Sequence, residues 1–363
     1  MRQMRTIIYV GLLAIAIAGV LLVGYGTLAA QGQASPKGTL TAAIWSGPPA
    51  TALQDFLTHF RKKYPDVNVK LVYQGGAGQT LARLRAEKAR PTIDIFFSTE
   101  SAAWFAASEG LSVPIPEDKI PNLRNVKDEA LAASVYERKL AWIPYWKGYV
   151  GIAVNTKVYD PKTITSWKWM WSKDLAPRKL GLPANFWFSG VQIQQVAKIW
   201  GGNEQNYEIA FEKLKELAPN VGLVYSSDAD SMKALISGET PAQFTLFDNV
   251  YRAVVEGAPL AAVAPPDTPV FAYYDVIVAV KNPPGGDTLQ TLFINELLTL
   301  EANQRWNNLI ANEPVIKGAT SDPKHKDYIG FANQWHPDLN VVVKNWPTWS
   351  ERHKKEIEPL FGK

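Results

Sequence analysis

Two α/β lobes, each a mainly parallel sheet flanked by helices, with a ligand cleft between them, are what this sequence predicts. Three features point there. The chain has 363 residues, more than one hydrophobic core normally serves before a chain divides. From residue 38 onward, apolar strand-like runs alternate with segments of helical periodicity, the pattern of a parallel α/β sheet. A second series of the same kind follows Gly148, and a strongly apolar run, "YYDVIVAV" (273–280), comes late.

The elements follow in order. Arg2 and Arg5 precede an uncharged stretch from Thr6 to Ala30, and the small residues Gly32 and Ala34 come next. This is the layout of an export signal, long enough to act as a membrane anchor as well, and residues 1–34 are assigned to it. "GTLTAAIW" (38–45) reads as a strand. Leu53, Phe56, Leu57 and Phe60 then recur at helical spacing, with Pro48 and Pro49 at the start and Pro65 as the stop. "VNVKLVY" (67–73) is a strand, "GAGQTLARLRAEKAR" a helix behind glycines, "IDIFFS" (93–98) a buried strand, and 100–108 a helix. "YVGIAVNT" opens the second series as a strand. Helices are predicted near 189–200, 204–217 and 228–237, and short strands near 221–225, 242–246 and 260–264. Helices over 287–299 and 301–310 and a Trp-rich docking tail finish the chain. The first lobe is placed at 38–146, the second at 147–268, and 269–363 returns to the first lobe and adds C-terminal helices.

Composition narrows the function. Apolar content of 47% with 20% charged residues describes a globular chain. The formal charge is +4, with no basic run and no zinc-ligand spacing, so nucleic acid is not an expected partner. The absence of cysteine excludes disulfides, thiol catalysis and iron–sulfur clusters. His59, His325, His336 and His353 are the histidines, and none falls at a predicted strand end beside a serine. There is no G-x-S-x-G elbow, no H-E-x-x-H and no phosphate loop; "GGAGQT" (75–80) lacks the lysine. The chain is read as a non-enzyme without cofactor or resident metal. An exported hydrolase is the alternative, because the separation of two carboxylates is a three-dimensional quantity.

In an α/β lobe, ligands meet the carboxyl ends of strands and the helix N-termini behind them. Here those places hold Trp45, Ser46 and Gly47; Thr99 and Glu100; Trp187, Ser189 and Gly190; Ser226; and Asp248 and Tyr251. Hydroxyls and aromatics so placed suit a small-molecule cleft. Each has a plainer role to weigh: Ser226 and Asp228 as caps, Ser46–Gly47 as a turn, Trp187 as core, Glu100 as a first-turn acid on a helix dipole.

The order of these pieces resembles the extracellular solute-binding proteins of ABC importers, within the periplasmic-binding-protein type II superfamily and its ferric, polyamine, thiamine and phosphonate branch. The resemblance covers about 38 to 315, including "IPYWKGYVGIAVNTKVY", "TSWKWMWSKDLAPRKLGLP", "ALISGETPAQFTLFDNVYRAVVEGAPLAAVAPPDTP" and "YYDVIVAVKNPP". It implies that the strand after "IPYWKG" carries the chain from one lobe to the other and that the chain returns near Phe271 to Asp275. Trp146, Lys147 and Tyr274 would then face a ligand held between the lobes. It also implies a small solute and membrane permease subunits as partners, a monomer, and a periplasmic or cell-surface location. Two ligand classes lead, with a sugar or another neutral solute behind them. An organic cation such as a polyamine would use Glu100, Asp248 and Asp275 as counter-charges between aromatic walls. A phosphorylated or phosphonate anion would use Ser46, Gly47, Ser189, Gly190, Ser226 and Lys147. A ferric site through paired tyrosines is not expected: Tyr251 lacks a tyrosine neighbour, and Tyr273 and Tyr274, as strand neighbours, point to opposite faces.

Overall fold

Strands β1 (Gly38–Trp45), β2 (Val67–Gln74) and β3 (Ile95–Thr99) pair in parallel with β1 in the middle, followed in turn by α1 (Pro48–Lys63), α2 (Ala77–Ala86) and α3 (Glu100–Ser108). They belong to a computed structural model that describes residues 35–184 and 190–361. The apolar stretch assigned to an export signal, and Trp187 and Ser189, lie outside those residues. Helix α1 forms where its sequence predicts. Pro48 presets the first turn, and Leu53, Phe56, Leu57 and Phe60 share the buried face. Phe56 and Phe60 pack edge-on against Phe293 at 5.4 and 5.1 Å between ring centres.

A short helix α4 (Asp128–Ala132) and the hairpin of β4 (Val135–Tyr136) and β5 (Lys139–Leu140) lead into β6 (Ile143–Asn155). The second series then runs β7 (Leu180–Pro183), α5 (Val191–Ile199), α6 (Glu208–Leu217), β8 (Val221–Tyr225), α7 (Asp228–Ser237), β9 (Ala242–Leu246), α8 (Phe247–Val255) and β10 (Leu260–Val263). The chain returns through β11 (Val270–Ala279) to α9 (Asp287–Leu297), α10 (Leu300–Leu309) and β12 (Glu313–Pro314). It ends with β13 (Gln334–Trp335) and α11 (Leu339–Arg352).

The strands form one sheet in the order β2-β1-β3-β11-β6-β9-β7-β8, with β10 and β12 added on β6 and β13 on β11. Parallel pairing, predicted for each lobe, holds on the two flanks, where β1 pairs β2 and β3, and β7 pairs β8 and β9. The centre is antiparallel: β11 pairs β3 and β6, and β6 pairs β9. The two central strands belong to both halves of the molecule. Trp142–Trp146 of β6 and its approach, with Tyr274–Val280 of β11 and its exit, lie in one hydrophobic core; Tyr149–Val154 and Val270–Tyr273 lie in a second. At roughly 3.3 Å per residue, the 13 residues of β6 reach about 43 Å, long enough to serve both. Phe293 and Trp306 of α9 and α10 complete the first core, whereas Val342 and Trp349 of α11 pack in the second.

The start of β6 differs from its sequence expectation. The strand begins at Ile143, so the run "IPYWKG" is part of β6 and not its approach. Pro144 and Gly148 read as breakers, but the ladder accommodates both. Asp275 pairs Trp146 while Val276 pairs Pro144, leaving Tyr145 as an extra residue. Such a bulge is where a sheet tolerates a proline, which has no N–H to give. The bulge also breaks the strict alternation of faces, so Tyr145 and Trp146 both enter the first core. The freed carbonyl of Tyr145 accepts a hydrogen bond from Asn303 Nδ2 at 3.0 Å. Gly148 lies beneath the ring of Tyr273, which a Cβ there would meet at 2.3 Å.

Candidate functional site

The carboxyl ends of the flanking strands meet around the point where β6 and β11 pass from one core to the other. Three aspartates converge there. Asp275 lies on β11 and is 8% exposed. Asp248 occupies the first turn of α8, and Asp228 opens α7 behind the N-cap Ser227, whose hydroxyl accepts from the Asp230 N–H at 3.2 Å.

Their electrostatics are those of carboxylates without enough counter-charge. Burial raises Asp275 well above the usual carboxylate range. Asp248, Glu100 and Asp228 add to that rise, and the Trp146 indole partly offsets it. Burial, then Asp228, pushes Asp248 up to about 6, against the opposing pull of Arg252 and the Asn249 N–H, which donates to Oδ1 at 2.9 Å. Burial raises Asp228 too, with Asn249 and Arg252 opposing. Among the described residues, Oδ1 of Asp275 and Oδ1 of Asp228 have no hydrogen-bond partner. The phenol of Tyr273 is held well above its ordinary value by burial and then by Asp248, Asp275 and Asp228.

Glu100 brings a fourth carboxylate, from the start of α3. It is 6% exposed. Its Oε2 accepts from the Tyr274 N–H at 3.0 Å and from His336 Nε2 at 2.7 Å, while Oε1 has no partner among the described residues. A cavity beside it is lined from the first core's side by Thr99, Glu100 and Ser101, from the second's by Gln194, Phe271 and Tyr273, and from the C-terminal segment by Pro337, Leu339 and Val342. Lys147, at the crossover, is depressed by burial, with Glu313 opposing at 3.9 Å. Its Nζ lies 5.7 and 5.9 Å from the ring centres of Tyr149 and Tyr274, and Glu313 also accepts from the Tyr149 hydroxyl.

The other sequence-selected residues take varied places. Trp146, expected to face the ligand, is a core side chain: it stacks on Trp306 and Phe97 at 5.1 and 6.2 Å, because the bulge turns it inward. Trp45 is half-buried and meets Trp146 edge-on at 6.2 Å. Ser46 and Gly47 are exposed, and a Cβ on Gly47 (φ +85°) would come 3.7 Å from Arg252 Nη1, so this turn faces α8 across the two halves. Thr99 is half-buried with its hydroxyl 3.2 Å from that of Ser101. Gly190 is buried at the N-cap of α5, and Ser226 is exposed just ahead of the true cap. Tyr251 packs its ring on His325 and Tyr328 at 4.6 and 5.2 Å. Tyr273 and Tyr274 belong to different cores.

Sequence reasoning missed His336, Arg252 and Glu313. Nothing local marks His336; it reaches Glu100 because β13 pairs with the start of β11. Arg252 had a readable signal, four residues after Asp248 on a helix. Among the described residues no three His, Cys, Asp or Glu groups come close enough to hold a metal ion.

Comparison with known proteins agrees on the kind of molecule. Residues 55–333 match the family described as bacterial extracellular solute-binding protein. Spermidine/putrescine-binding periplasmic protein 1 of Haemophilus influenzae is 27% identical over 230 residues, 60% of this chain and 62% of that protein; the chain thus spans about three fifths of that relative's length. Among solved structures, a spermidine/putrescine substrate-binding protein from Streptococcus pneumoniae superposes with a TM-score of 0.70 at 17% identity, covering 89% of this chain and 99% of the other. A binding protein of Agrobacterium tumefaciens, solved with glucopine, gives 0.72 at 19% identity, covering 88% and 99%. At such identities the structural likeness speaks for the fold alone, a two-lobed binding-protein fold.

Proposed function

This chain belongs to the family of bacterial extracellular solute-binding proteins, and from that premise we propose that it captures an organic cation, a di- or polyamine, for delivery to a membrane permease of the ABC importer type. The observation that carries the reading is the Asp228–Asp248–Asp275 cluster. Three carboxylates with raised proton affinity, two of them with unpartnered oxygens, cost the ligand-free fold free energy that a bound ammonium group restores. The polyamine-binding relative supports the same class. An anionic solute finds less: Lys147 already faces Glu313, and Arg252, which the Ser46–Gly47 turn faces, is drawn toward Asp228 and Asp248. The hydrolase alternative has no footing in a family of solute binders.

The site draws Glu100 from one half and Asp228 and Asp248 from the other. A ligand touching both favours a closed arrangement of the lobes about β6 and β11, since only differential affinity shifts such an equilibrium. In this reading the location is extracytoplasmic. The test is identification of the native ligand. Protein purified without added solute is denatured, and the released small molecules are analysed by mass spectrometry. An unchanged amine in about equimolar amount is expected; a sugar phosphate or other anion would refute the reading.

A further inference from the structure

We propose that His336 sets the charge specificity of this site: it acts as a built-in counter-ion to Glu100, so that the site takes ammonium groups at the three aspartates and disfavours a ligand that brings a further one to Glu100. The inference rests on the cation reading above and adds which cations are preferred, short diamines over longer triamines.

The geometry is that of an occupied subsite. β13 pairs in parallel with the start of β11, Val270 with Gln334 and Phe271 with Trp335. This lays the next residue, His336, across the opening between the two cores. Its Nε2 sits 2.7 Å from Oε2 of Glu100, and its ring lies 5.3 Å from that of Tyr274. The segment is tied to both halves. Trp104 Nε1 of α3 donates to Asn340 Oδ1 at 3.3 Å, while the Asp338 N–H and Asn345 Nδ2 donate to Glu204 at 3.1 and 3.0 Å. Glu100 is nine-tenths buried and needs a positive partner; His336 is the one the fold supplies. The charged and titratable groups facing His336 are Glu100 on α3, Lys147 on β6, Tyr274 on β11 and Glu204 before α6. Burial lowers its proton affinity, Glu100 raises it by more, Lys147 opposes and Glu204 assists, with a net rise above the ordinary value. The imidazolium therefore persists to higher pH than a free histidine's. An ammonium group arriving at Glu100 has to displace that charge or sit beside it. Among the described residues the three aspartates have no ion pair of this kind; Arg252 moderates Asp228 and Asp248 from a distance.

The test compares putrescine and spermidine by calorimetry at pH 6 and pH 8, in the wild type and in His336→Gln, which keeps a donor for Glu100 and removes the charge. Wild type is expected to favour putrescine at pH 6, and His336→Gln to shift the ratio of dissociation constants toward spermidine by about tenfold. The wild-type ratio should move the same way as pH rises from 6 to 8 and the imidazolium population falls, and this arm needs no variant to fold. A ratio that is the same in both proteins and at both pH values would overturn the inference while leaving the cation reading intact. If neither amine binds either protein, the cation reading fails and the inference with it.

Discussion

Asp275→Asn is expected to weaken amine binding about 10- to 150-fold, the worth of one charge-assisted hydrogen bond in a buried site. The ligand-free protein should hold its melting temperature or gain. Both halves follow from one fact: Asp275 is buried, its Oδ1 has no partner, and neighbouring carboxylates disfavour its ionised form. Before a ligand arrives, the ionised side chain is a liability, and the neutral amide of similar shape removes it. Once an ammonium group is present the same charge becomes the contact, and the amide supplies a weaker one. Linkage gives the sign of the pH effect. A carboxylate whose folded pKa is raised destabilises the fold above that pKa, and the penalty fades as pH falls through it toward the unfolded value. Calorimetry on the variant, with thermal unfolding of the ligand-free form, separates the outcomes. Unchanged affinity would remove Asp275 from the site, and a melting temperature lowered by many degrees would make it a structural group.

Trp146→Ala is expected to cost about 3–5 kcal/mol of stability, the range for deleting a large aromatic from a packed core. Trp146 is 1% exposed, with its ring packed among Phe97, Trp306 and Trp45, so truncation opens a cavity in their midst. The measurement is the denaturant midpoint of the ligand-free protein. A loss below about 1 kcal/mol together with a large loss of affinity would return Trp146 to the role its position in the sequence suggested, a wall of the ligand site.

That contrast shows how far the sequence could be read. β1, β3, α3 and α7 fall where period and punctuation put them, because each is a local pattern: apolar alternation, a strand-end hydroxyl, an acidic first turn. The start of β6 was hidden by Pro144 and Gly148, which signal a break unless a bulge and an overlying Tyr273 ring accommodate them. No local rule reveals either. Glu100, Asp248 and Asp275 could be chosen as carboxylates near strand ends. That they sense one another, and that Asp228 joins them and does more than open a helix, depends on where α7, α8 and β11 meet. His336 was beyond reach because its partner lies 236 residues away and the intervening path crosses both cores. Charged groups that serve a site are fixed by tertiary approach, and the hydrophobic period carries no record of it.

The central claim is that under-compensated carboxylates between the two cores hold an amine. Calorimetric titration with putrescine at pH 7 and pH 5, each in two buffers of different ionisation heat, tests it most directly. Asp248, pushed up to about 6 in the free protein, must be ionised to hold the ligand. Binding is therefore expected to weaken about tenfold at pH 5 and to release protons there, seen as a buffer-dependent heat. Binding of equal strength at both pH values with no buffer dependence, or no binding of the amine at either, would contradict the account.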